Sequence, residues 1–173
     1  SWLHHDSDLV KSGKIILQDK SSCFSALVCA SSGDFRGDYI DACSAPGNKT
    51  SHLAALLHAS FAAAADEDEP PKKKKKKKGN KTNKIQSTVF ACERSSARFD
   101  TLKSRMDQLV SSSSVAVEPT HGDFLKIDPS DPTYANVRAI MLDPSCSGSG
   151  IVNAPDRSTA QNSDDKNRIQ TLA

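Results

Sequence analysis

The chain has 173 residues, enough for one domain with a sizeable core, yet its apolar content of 36% is below the globular average, so part of it is not core. The formal net charge of +2 hides a charge block, Asp66 to Glu69 followed by Lys72 to Lys78, outside which the chain is close to neutral. That excludes a basic stripe of the kind that marks a nucleic-acid face within the folded part. The five cysteines form no Cys-x-x-Cys pair, so neither a zinc site nor a redox dithiol is expected, and no metal ligand set is assigned. No signal peptide is recognised and no apolar run reaches membrane length, so a reducing cytosolic or nuclear compartment and no membrane partner are expected. The chain begins without methionine and reads as a fragment.

In chain order, Ser22 to Ala30 carries Cys23, Phe24, Leu27 and Val28 at the spacing of a short amphipathic helix. A turn at Ser31–Asp34 precedes a short strand, Tyr39–Ala42. Cys43 to Thr50 is a loop feeding an Ala/Leu-rich helix with Leu53, Leu56, Leu57 and Phe61 on one face. Asp66 to Lys84 then breaks the pattern with acids, Pro70-Pro71 and seven lysines; such a block buries no core and reads as a disordered insertion. Ser87 to Cys92 resumes as an alternating strand ending on Glu93. Ser95 to Val110 is a helix capped by Ser95 or Ser96, with Phe99, Leu102, Met106 and Leu109 as its stripe. Val115–Val117 is a third strand, and Gly122–Leu125 a loop or helix start. Val137 to Leu142 is a fourth strand whose apolar residues, interrupted at Arg138 alone, predict a parallel strand covered on both faces. Asn153 to Lys166 is polar and loop-like, and Arg168 to Ala173 reads as the first turns of a helix. The order predicts a right-handed, doubly wound α/β sheet in one partial domain spanning 1–173, interrupted at 66–84.

Chemistry in such sheets sits at the carboxyl ends of the strands. The loop Cys43–Thr50 joins a strand to a helix, and Gly47 lets backbone approach a ligand. It is neither G-x-G-x-x-G nor a P-loop, since Asn48 stands where the latter needs glycine. Read as composition alone, it is a ligand loop or an ordinary tight turn. Glu93 ends the second strand, where an acid commonly accepts hydrogen bonds from ribose hydroxyls; excising the insertion restores the usual spacing of roughly 20 residues. Its plain alternative is an exposed helix-capping acid. Asp123 either receives an adenine amino group or caps a turn. Asp143 ends the fourth strand ahead of Pro144 and can bind a base's exocyclic amine and protonated ring nitrogen. Cys146 lies in the polar turn Ser145–Gly150, so it reads as attacking thiol, helper or packing. The lysine run reads as a nuclear or nucleolar address, a phosphate contact or a solvated loop.

Together these segments resemble the Sun-family RNA (cytosine-5) methyltransferases, the group that includes the bacterial ribosomal enzyme Fmu. Lys14–Lys20 with Ser22-Cys23 is similar to the segment before the family's first motif. Asp41–Thr50 resembles that motif, which holds S-adenosylmethionine. Asn48 and the Asp-Pro-Ser-Cys spelling are most similar to the branch that methylates large-subunit ribosomal RNA. The resemblance implies a Rossmann-like methyltransferase sheet, incomplete at the C-terminus, with RNA as substrate and a nuclear, nucleolar location. It implies that Cys43, Ser44, Ala45, Pro46, Gly47, Asn48 and Lys49 wrap the methionine part of the cofactor. Glu93 would bind the ribose with Arg98 nearby, Asp123 would approach the adenine, and Asp143 would sit between cofactor and cytosine.

In the family mechanism a cysteine thiolate adds to C6 of cytosine, so that C5 becomes nucleophilic enough to take the methyl group. The attacking cysteine lies in a Thr-Cys pair after the following strand, and the proline-cysteine motif, matched by Cys146, assists product release. No Thr-Cys pair occurs here, so Cys146 is expected in the accessory role and negligible methyl transfer is expected of this chain alone. The competing reading is a non-catalytic, truncated form that binds cofactor or RNA. An amino-group methyltransferase would carry an aromatic residue where Ser145-Cys146 stands. A cysteine hydrolase leaves Glu93 and the loop unexplained.

Overall fold

The computed structural model describes residues 7–31, 36–67, 85–109 and 114–144. In chain order these hold α1 (Asp8–Lys11), α2 (Lys20–Ser31), β1 (Asp38–Asp41), α3 (Asn48–Glu67), β2 (Ser87–Glu93), α4 (Ser96–Leu109), β3 (Val115–His121), two 3-10 turns (Phe124–Lys126 and Pro132–Tyr134) and β4 (Val137–Met141). Contacts divide the chain after Asp143, and of the second unit, 144–173, only Pro144 is described.

The strands form one parallel sheet in the order β3-β2-β1-β4. The chain starts in the middle, moves outward through β2 to β3, then returns to the other side of β1. That reversal makes the carboxyl ends of β1 and β4 a switch point, where the loops leaving adjacent strands diverge and open a crevice. The start of the sheet is tied across strands: Asp38 Oδ1 accepts from the Thr88 amide at 2.7 Å, and Ser87 Oγ donates to the Gly37 carbonyl.

Side chains alternate across the sheet, so each strand serves two cores. Tyr39, Val89, Val115 and Met141 meet Ala26 and Cys29 of α2 and Leu53, Leu57 and Phe61 of α3. Leu102 and Met106 of α4 pack on Ala91 and on Ala45 of the β1–α3 loop, as the stripe predicted. Ile40, Phe90 and Cys92 point the other way, under Phe124, Ile127 and Tyr134 of the β3–β4 connection. Phe90 and Tyr134 meet edge to face with centroids 5.0 Å apart.

Several expectations are corrected. In α2 three of the four residues read as the apolar stripe face outward: Phe24, Leu27 and Val28 are exposed and Cys23 is half-buried, while Ala26 and Cys29 are buried. Close packing of α2 on α3 favours the small residues, so apolar spacing named the wrong face. Among the described residues β4 pairs only with β1, and it is not covered on both faces, since Ile140 is 50% exposed. β2 is buried at nearly every position instead of alternating, as befits an interior strand. β3 runs on to His121, and an edge strand tolerates its Pro119. The helix α3 continues two residues into the expected insertion, carried by the alanine run before it. Residues 68–84 and 145–173, with the expected lysine loop and terminal helix, lie outside the described residues.

Truncating the fully buried Leu57 to alanine is expected to cost about 2–5 kcal/mol, whereas Phe24→Ser should stay within about 0.5 kcal/mol. Urea unfolding of the two variants checks this, and equal losses would contradict the assignment of the α2 faces.

Candidate functional site

β1 ends on Asp41, which is 1% exposed. Its Oδ2 accepts from Thr50 Oγ1 at 2.7 Å and its Oδ1 from the Cys43 amide at 3.3 Å. One carboxylate therefore ties both ends of the loop that joins β1 to α3. Burial raises the Asp41 carboxyl from its ordinary 3.8 to about 6, against the lowering effect of Thr50, the Cys43 amide and Lys49.

The loop is pinned sideways as well. The Ser44 amide donates to the Cys92 carbonyl at 3.0 Å, and Ser44 Oγ reaches the carbonyls of Asp41 at 2.8 Å and Cys92 at 3.1 Å. Gly47 turns the chain into α3 with φ +100°, a backbone conformation that favours glycine. The Ser44 contacts lay the loop against the end of β2, where Glu93 is buried. Glu93 Oε1 accepts from the Ser95 amide at 2.8 Å. Arg98, on the first turn of α4, stands 3.5 Å from Glu93 Oε2 and donates to the Ala45 carbonyl at 2.6 Å. Arg98 thus bridges the loop and the acid.

On the other side of the loop, Lys49 Nζ lies 2.9 Å from Asp143 Oδ2, which also accepts from Ser25 Oγ of α2 at 3.1 Å. The Lys49 hydrogen bond holds the Asp143 carboxyl below the ordinary carboxylate range, so it is ionised at neutral pH. Asp123 caps the first 3-10 turn, accepting from the Leu125 amide at 3.0 Å. The neighbouring Gly122 amide donates to the Glu93 carbonyl at 3.0 Å, which sets the end of β3 beside that of β2. Cys43 is held above the ordinary thiol range by burial and by Asp41 and Glu93, and burial pushes Cys29 and Cys92 up to about 11. These three are thiols at neutral pH, unsuited to nucleophilic attack. Cys146 lies outside the described residues.

A cavity of about 90 Å³ opens against the loop, walled by Gln18, Ser22, Cys43, Ala45, Asn48 and Lys49 among others. Gln18 Nε2 and Asn48 Oδ1 are buried without a hydrogen-bond partner. Among the described residues no cluster of metal-ligating side chains occurs, and no helix is long and apolar enough to cross a membrane.

The structure therefore gathers the loop Cys43–Lys49, Glu93, Arg98 and Asp143 at the crevice. The sequence reading included Asp41 and Thr50 in the motif Asp41–Thr50 but gave neither a role of its own, although an acid ending a strand and a hydroxyl nine residues later were the available signal. It gave no role to Gln18 or Ser25, which arrive from outside the loop and have no local signature.

No protein-family model matches the chain. Its sequence is similar to the 25S rRNA (cytosine-C(5))-methyltransferase rcm1 of Schizosaccharomyces pombe, 39% identical over 96% of this chain and 30% of the relative. It is similar to the 28S rRNA (cytosine-C(5))-methyltransferase of Mus musculus, 35% identical over 98% of this chain and 30% of that protein. The 25S rRNA (cytosine-C(5))-methyltransferase NSUN5 of Arabidopsis thaliana is 37% identical over 86% of this chain and 21% of its own length. The chain belongs with the Sun-family RNA (cytosine-5) methyltransferases. It spans less than a third of the length of these Sun-family relatives. The solved structure of PH0851, 21% identical, superposes with a TM-score of 0.63 over 99% of this chain and 32% of that one, and shows the same fold.

The raised Asp41 carboxyl has a signed consequence. It binds its proton more tightly folded than unfolded, so its contribution is greatest below about pH 4 and declines as pH rises toward about 6. The difference in unfolding free energy between the native chain and Asp41→Asn should therefore fall across that interval, measured by urea titrations at several pH values. A difference independent of pH would contradict the raised carboxyl.

Proposed function

We propose that this chain forms the S-adenosylmethionine-binding part of an enzyme that methylates cytosine C5 in large-subunit ribosomal RNA. The observation that carries this reading is the loop Cys43–Lys49 pinned beside the buried Glu93, with Arg98 joining the two. The residues fit such a cofactor. Glu93 has spare lone pairs after accepting from Ser95 and can take hydrogen bonds from two ribose hydroxyls. A cavity of about 90 Å³ lined by Gln18, Ser22, Ser44, Asn48 and Lys49 among others lies against the loop. Cys43 to Lys49 would hold the methionine part and Asp123 would approach the adenine.

When bound, the cofactor supplies an electrophilic methyl group on a sulfonium. The chain's own part is positional. Asp143, ionised and held by Lys49 and Ser25, is an acceptor for the exocyclic amine and a protonated ring nitrogen of a cytosine at the switch-point crevice. Cys146, three residues on, would take the accessory role in product release. The attacking thiolate is not assigned to Cys29, Cys43 or Cys92, whose thiols are all raised. A large-subunit ribosomal RNA substrate accords with a nucleolar site of action.

The test is calorimetry with S-adenosylhomocysteine. Micromolar binding is expected of the chain, and Glu93→Gln should weaken it by about tenfold to a hundredfold, the worth of a hydrogen bond to a charged group. Transfer of labelled methyl from S-adenosylmethionine to ribosomal RNA, by the protein carrying this chain, then tests the reaction. A folded chain with no affinity for S-adenosylhomocysteine would overturn the reading.

A further inference from the structure

The segment after α1 turns back at Gly13: the Gly13 amide donates to the Val10 carbonyl and the Ile15 amide to the Leu9 carbonyl, both at 3.0 Å. Ile16 to Asp19 then runs on without turn or bend until α2 begins. A groove of about 820 Å³ lies between this segment and α4. Val10, Ile15, Ile16 and Leu17 form its apolar wall. Thr101, Ser104, Arg105 and Gln108 form the polar wall, at the spacing of one helix face, while Leu102 and Met106 of the same helix meet the sheet.

Two features of this groove call for a partner. The amides of Ile16, Leu17 and Gln18 donate to no group among the described residues, so the backbone here is open to pairing with a further strand. Arg105 is half-buried, yet it makes no ion pair or hydrogen bond among the described residues. Lys11 and Arg105 outweigh Asp100 in the groove, and a guanidinium matches a carboxylate with two parallel hydrogen bonds. An RNA strand fits less well. The lining holds no aromatic side chain on which a base could stack, and one cation in excess is a weak field for a phosphate backbone. From Thr101 to Gln108 the helix rises about 10 Å, which about three steps of a strand match.

We propose that this groove docks an extended peptide segment of a partner protein, about four residues long, paired along Ile15–Gln18 and placing a carboxylate on Arg105. Period-two alternation suits the two walls: aliphatic side chains meet one and polar side chains the other. The proposal is independent of the cofactor reading, since neither Arg105 nor Ile15–Leu17 belongs to the strand-end site.

The probe is a displayed peptide library in which aliphatic residues alternate with Thr, Glu, Gln or Lys, selected on the native chain. Enriched peptides should carry Glu, and a synthetic copy should shift the amide resonances of Ile16, Leu17 and Gln18 and of the α4 face. Methylating alternate amide nitrogens of that peptide should abolish binding. Arg105→Gln should weaken it about tenfold, and Arg105→Glu should turn the preference to Lys-bearing peptides, both variants keeping the native urea midpoint. No enrichment, shifts confined to another surface, or equal binding of the methylated peptide would overturn the proposal. So would the same shifts produced by an oligouridine, which would make the groove an RNA site, or by raising the protein concentration alone, which would make it a contact between copies of this chain.

Discussion

The site depends on a single buried carboxylate. Asp41 receives the Cys43 amide with one oxygen and the Thr50 hydroxyl with the other, so the two ends of the β1–α3 loop are held by the same group. Ser44 adds a second anchor, to the carbonyls of Asp41 and Cys92. Burying an acid there is costly, as its raised pKa records. The gain is a loop whose backbone is set before any ligand arrives, and preorganised groups lose less on binding.

Two ion pairs extend this frame in opposite directions. Arg98 joins the loop to Glu93 across β2, and Lys49 joins the start of α3 to Asp143 beyond β4. Arg98, Lys49 and Asp143 keep a quarter to a half of their side-chain surface in solvent, so neither pair adds much stability. Their effect is geometric. They hold carboxylates that follow two separate strands against one loop.

Much of this was legible in the chain. Gly47, the loop around it and Glu93 were placed together from residue type and spacing alone, since turn chemistry and strand-end acids are local signals. The stripe of α4 was equally plain, because Leu102 and Met106 repeat at helical spacing and do meet the sheet. The α2 stripe misled for a reason that periodicity cannot express: Phe24, Leu27 and Val28 are apolar, but close packing on α3 selects Ala26 and Cys29. β4 has the composition of an interior strand, and the order of the sheet makes it an edge.

Contiguous residues alone carry the α/β class, the position of the glycine loop between β1 and α3, and the family resemblance. The folded chain adds that Asp41 closes the loop, that Arg98 bridges Ala45 and Glu93, that Ser25 holds Asp143, and that Gln18 and Asn48 line one cavity. Ser25 and Asp143 are 118 residues apart and Arg98 and Ala45 are 53 apart, and they meet because parallel strands bring their carboxyl ends to one edge. A hydrogen bond is specified by position in space, and no local pattern records it until the sheet has formed.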